Sequence, residues 1–81
     1  MSKSHAQRCL KDALSEIDSK NFVDAAHLCV ASIRAAKKAE KYSLAGKAFQ
    51  LILSLDSKSQ PVIAGLKKEA EYLMMEDFLS A

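Results

Sequence analysis

Apolar residues return at helical spacing along most of this chain, and in one stretch they leave almost no polar side. From His5 to Asp18 the apolar positions are Ala6, Cys9, Leu10, Ala13, Leu14 and Ile17, with Gln7, Arg8, Lys11, Asp12, Ser15 and Glu16 opposite. This i, i+3, i+4, i+7 series predicts an amphipathic helix with one buried face. Ser4 is its candidate N-cap, and Ser19-Lys20-Asn21 is a polar break. A second helix, starting near Phe22 or Asp24, has a core stripe of Phe22, Ala25, Ala26, Cys29, Ile33 and Ala36, widened by Leu28, Ala31, Ala35 and Ala39. Small residues on that wide face let neighbouring backbones approach closely.

A single helix from Asp24 to Leu55 would be about 48 Å long at 1.5 Å per residue. The short first helix could not cover it, so a break is expected in Lys37-Lys38-Ala39-Glu40-Lys41, with Ser43 as cap of a third helix. One continuous or bent helix is the alternative, since neither Gly nor Pro marks the break. In the third helix, Leu44, Ala45, Ala48, Phe49, Leu51, Ile52, Leu53 and Leu55 leave only a strip of Lys47, Gln50 and Ser54 polar. A helix apolar nearly all round is buried on most sides, which predicts a central position for it or a cover from outside the chain. Asp56 to Pro61 is the clearest loop, and Pro61 suits the first turn of a fourth helix. That helix has a core side of Ile63, Leu66, Ala70 and Leu73, extended by Met74 and Phe78, and a second apolar stripe of Tyr72, Met75 and Leu79.

The expected architecture is one all-α domain over residues 1–81, of about four antiparallel helices near 5–18, 23–41, 43–55 and 60–78. A helical bundle and tetratricopeptide-like hairpins both satisfy the pattern. Composition agrees: 49% hydrophobic and 27% charged residues, with two glycines and one proline, are ordinary for a folded globular chain and favour helix over strand.

Charge narrows the function. A net charge of +2 is too small to mark nucleic acid or an anionic membrane as the main partner. The basic series Arg34, Lys37, Lys38, Lys41 and Lys47 has only Tyr42 interleaved, short of the stacking platforms that single-strand binders need. In an up-and-down arrangement it meets the acidic end of the fourth helix, Glu69, Glu71, Glu76 and Asp77, as a charge zipper; a basic ligand for those acids is the alternative. No run is long enough to span a bilayer and no secretory leader is apparent, so a cytoplasmic chain without membrane insertion is expected.

Candidate chemistry is sparse. His5 and Cys9 share a helix face, but His27 and Cys29 are two residues apart and project in different directions, so no closed four-ligand metal site is expected. Cys9 and Cys29 fall on apolar stripes, where a reduced cysteine acts as a small hydrophobe. No GxSxG, Gly-rich phosphate loop or HExxH occurs. The expectation is no catalytic residue, no metal and no cofactor.

Two segments share a pattern: Asn21-Phe22-Val23-Asp24-Ala25-Ala26 and Lys41-Tyr42-Ser43-Leu44-Ala45, each an aromatic followed three residues later by alanine. This resembles the start of the second helix of a tetratricopeptide hairpin. Ile17-Asp18-Ser19-Lys20-Asn21-Phe22 also resembles the first turn of microtubule-interacting and trafficking (MIT) domains. The copies are twenty residues apart, against a tetratricopeptide period of about 34, and Asp12-Ala13 stands where that family has Leu-Gly. MIT domains lack a loop like Asp56 to Pro61. What both resemblances imply is a cytosolic scaffold whose inter-helix groove takes a peptide or helix of another protein.

The expected function is therefore protein–protein interaction without catalysis. Phe49, Leu53, Tyr72, Met75 and Leu79 are the expected contact residues, with Lys38 and Lys41 as a polar rim. The rival expectation is a homo-oligomer whose third and fourth helices pack across a symmetry axis.

Overall fold

The computed structural model describes residues 4–58 and 60–80, with side chains through Glu76. It contains α1 (His5–Asp18), α2 (Phe22–Lys38), α3 (Tyr42–Leu53) and α4 (Pro61–Ser80), and no strand among the described residues. Ser4 caps α1 as expected. Its hydroxyl accepts the Gln7 amide at 3.2 Å while the Gln7 side chain accepts the Ser4 amide, a reciprocal capping box.

The breaks before α2 and α3 are the same structure. After α1, Lys20 N–H donates to Ile17 O and Asn21 N–H to Glu16 O; after α2, Glu40 N–H donates to Lys37 O and Lys41 N–H to Ala36 O. This is the paired hydrogen-bond pattern that closes a helix on a left-handed residue. Lys20 (φ 64°) and Glu40 (φ 58°) occupy that position, where glycine is the usual choice because a Cβ is strained there. The separation of α2 and α3 therefore holds without Gly or Pro. It falls inside the expected run, at Ala39-Glu40-Lys41; α2 ends at Lys38 rather than at 41, and α3 opens on Tyr42 with Lys41 at the N-cap position and no side-chain cap bond. Ser43 is inside the helix. Substituting Lys20→Gly and Glu40→Gly together is expected to stabilise the fold by about 1–2 kcal/mol and raise Tm by roughly 5–10 °C. Differential scanning calorimetry checks this, and a lower Tm would remove the left-handed turns from the account.

α3, the helix expected at the centre, does touch all three others, but the more enclosed of the two inner helices is α2. It contacts α1, α3 and α4, while α1 and α4 do not approach each other among the described residues. Its buried side chains run from Ala25 and Ala26 through Cys29, Val30, Ser32 and Ile33 to Ala36. By contrast α3 buries Ala45, Ala48 and Ile52, holds Leu44, Phe49 and Leu51 half-buried, and leaves Leu53 43% exposed. Each helix thus touches the next and the next but one, forming an open strip. The principal extents of 35 × 33 × 14 Å fit two helix layers at ordinary packing distances of 8–10 Å.

Half of the buried apolar residues described are alanines, so the helices meet backbone to backbone. One polar group is built into that seam. Ser32, fully buried, donates its hydroxyl to the Ala6 carbonyl at 2.8 Å, fixing α1 against α2. Along α4, Ile63, Leu66 and Ala70 are buried and Leu73 and Met74 pack against the core, as the pattern predicts. Phe78 lies outside the described side chains.

Part of the charge zipper forms between α2 and α4. Arg34 pairs with Glu69, and Lys37 pairs with Glu76 at 3.0 Å while also donating to the Leu73 carbonyl. The order of these pairs shows that α2 and α4 run parallel, as alternate helices in an up-and-down chain must. Lys38, Lys41 and Lys47 are exposed. Solvent-facing pairs of this kind contribute at most about 1 kcal/mol each.

Candidate functional site

The tight turns on either side of α2 make α1 and α3 point the same way, so their C-terminal ends lie at one end of the strip. Between those ends opens a cleft of about 660 Å³. Leu14, Ile17 and Asp18 of α1, Phe22 of α2, Leu51 of α3 and the following Ser54, Leu55, Asp56 and Gln60 line it. Leu55 is buried, Ile17, Phe22 and Leu51 are half-buried, and Leu14 is 50% exposed. Each apolar residue continues the core stripe of its own helix past the point where a neighbour covers it.

The polar edge of the cleft is acidic. Asp18 and Asp56 are both exposed, and no lysine or arginine is among the lining residues. Asp56 engages one oxygen locally, where Oδ1 accepts the Lys58 amide at 3.0 Å. Neither α1 nor α3 has a basic residue in its last turn, whereas α2 ends in Lys37 and Lys38.

Two smaller cavities differ in character. One of about 390 Å³ lies between α2 and α4 and is lined by Arg34, Lys68, Glu69, Tyr72, Leu73 and Glu76. The other, about 420 Å³, lies where the start of α1 meets the end of α2 and is lined by Ser4, His5, Ala6, Ala35, Lys38 and Ala39.

The contact residues expected from sequence are dispersed over this surface. Tyr72 lines the α2–α4 cavity and is 72% exposed; Met75 is 55% exposed and Leu53 43%. Phe49 packs half-buried against the core. Lys38 lines the third cavity and Lys41 is exposed ahead of α3. Leu79 lies outside the described side chains. Of this set, the three cavities draw only on Tyr72 and Lys38. The cleft residues Leu14, Ile17, Phe22, Leu51 and Leu55 read as core in the sequence. The readable signal for them was acidic: an aspartate closing a helix, where it opposes the dipole.

His5 and Cys9 do share a face, with Nε2 and Sγ 3.6 Å apart. No group of three or more His, Cys, Asp or Glu able to hold a metal occurs among the described residues. Cys9 and Cys29 are free and buried. Burial pushes the Cys29 thiol up to about 11, and burial followed by the neighbouring Asp12 carboxylate raises that of Cys9. Both are protonated at neutral pH. Among the described residues no helix is long and apolar enough to cross a membrane.

Comparison with family models, curated proteins and solved structures returned no match.

Proposed function

We propose that this domain is a non-catalytic protein–protein interaction module that receives a helical or linear peptide segment of a partner protein. The observation that carries this reading is the α1–α3 cleft, a concave surface with an apolar floor of Ile17, Phe22, Leu51 and Leu55. Further burial of such half-covered apolar area releases about 25 cal/mol per Å², and an amphipathic segment fills a groove of this kind with alternate anchors. The cleft favours a segment over the outward-facing Tyr72 and Met75 of α4 as the primary site, because its apolar groups converge. No cofactor enters the reading. A cytoplasmic setting fits the two free, buried thiols, which sit in the core without pairing.

Peptides selected from a displayed random library and titrated by fluorescence anisotropy test it. A saturable binder is expected whose affinity falls about tenfold or more in Leu14→Asp, a position half-exposed in the free domain, and is unchanged in Tyr72→Asp. No saturable peptide, or sensitivity to Tyr72→Asp alone, overturns it.

The rival is self-association through the outer face of α4, which the exposure of Tyr72 and Met75 favours. Sedimentation equilibrium separates the two: a monomer is expected, and a dimer dispersed by Tyr72→Ala with Met75→Ala would install the oligomer in its place. Nucleic acid is disfavoured because Arg34 and Lys37, two of the five residues of the basic series, pair with α4 carboxylates.

A further inference from the structure

We infer that the α1–α3 cleft selects a cationic occupant: a partner segment whose apolar anchors are flanked by lysine or arginine. This rests on the interaction reading above and adds the chemistry of the segment. The charged side chains of the cleft share one sign. Asp18 and Asp56 stand exposed at its edge, and no cationic side chain lines it. The helix ends beside it set no net sign, because the C-terminal ends of α1 and α3 share the cleft with the N-terminal ends of α2, at Phe22, and α4, next to Gln60; the selection rests on the two carboxylates.

The contrast with the rest of the molecule makes the sign informative. The chain is net positive, at +2. The α2–α4 cavity balances Arg34 and Lys68 against Glu69 and Glu76, and the third cavity carries His5 and Lys38. Lys20 and Lys58 are close to the two aspartates in sequence but do not line the cleft. A lysine or arginine of the partner lays its aliphatic stem along Leu14 and Ile17 and places its charged head at Asp18 or Asp56. An anionic segment meets two carboxylates there and no cation.

The test uses two fluorescent peptides of about 14 residues, long enough for i, i+4, i+7 anchors. They share leucine positions and carry lysine in one and glutamate in the other at every polar position. Anisotropy titrations are run against the wild-type chain and an Asp18→Asn/Asp56→Asn double variant. Both positions are exposed, and asparagine at 56 keeps an oxygen for the Lys58 amide, so the fold is retained. The lysine peptide is expected to bind about tenfold tighter than the glutamate peptide and to lose about fivefold in the double variant. Amide shifts in ¹⁵N spectra are expected to centre on Leu51 and Leu55. Equal affinities for the two peptides with shifts at the cleft overturn the charge selection and leave the docking reading standing. A lysine peptide that binds elsewhere, indifferent to the double variant, overturns the selection as well. Failure of both peptides to bind overturns both.

Discussion

Ile33→Ala lowers the unfolding free energy by about 3 kcal/mol in urea titrations followed by circular dichroism; this is the largest loss expected from any one truncation. Ile33 is fully buried near the middle of α2, the most enclosed helix and one of the two that touch all the others. Removing its outer carbons forfeits their transfer free energy and leaves a cavity, a combination that costs about 2–5 kcal/mol for isoleucine. The whole domain, at about 0.05–0.15 kcal/mol per residue, has roughly 4–12 kcal/mol to lose. Val62→Ala, at a position 52% exposed on α4, is the control and changes stability by less than about 0.5 kcal/mol. A loss below about 1 kcal/mol at Ile33 would show that α2 is not the most enclosed helix.

The second large effect has the opposite geometry. Ala25→Leu drives three extra carbons into a seam with no room for them, and Tm is expected to fall by roughly 10 °C. Ala25 is fully buried and lies two helical turns before Ser32, on the same face. That face meets α1, because the Ser32 hydroxyl reaches the Ala6 carbonyl at 2.8 Å. A leucine therefore pushes α1 outward and breaks that bond, adding an unpaired buried hydroxyl to the steric cost. Leucine at exposed Ala64 is the matched control. An unchanged Tm for Ala25→Leu would mean that α1 rides loosely on α2.

Both residues were legible as core in the stripe of α2, but the rank of that helix was not. The stripes of α1 and α4 were readable because leucine and isoleucine stand against polar residues at regular spacing. The greater enclosure of α2 was not, because three of its seven buried residues are alanines and a fourth is serine. Alanine adds little to an apolar pattern and yet permits the closest approach of helices, so the most enclosed helix looked less hydrophobic than α3. What made α3 look central was its large residues, and Leu44, Phe49 and Leu51 are the ones left half-covered. The break before α3 was legible as a polar run. The turn that makes it was not, since a glutamate in a left-handed conformation leaves no mark in sequence.

The site was less legible than the fold. Concavity belongs to no single helix: Ile17 and Phe22 lie beside the first turn and Leu51 and Leu55 some thirty residues further on. Only the shared direction of α1 and α3 brings them together. Tyr72 and Met75 were found as exposed apolar groups because a stripe off the core side of one helix is visible within that helix.

The separation of α1 from α4 governs how the chain reaches this structure. Among the described residues no helix has to find a partner more than two elements away, so α1 and α4 do not have to be brought together and the entropy of closing that loop is not incurred. Contacts of such short sequence range favour rapid folding.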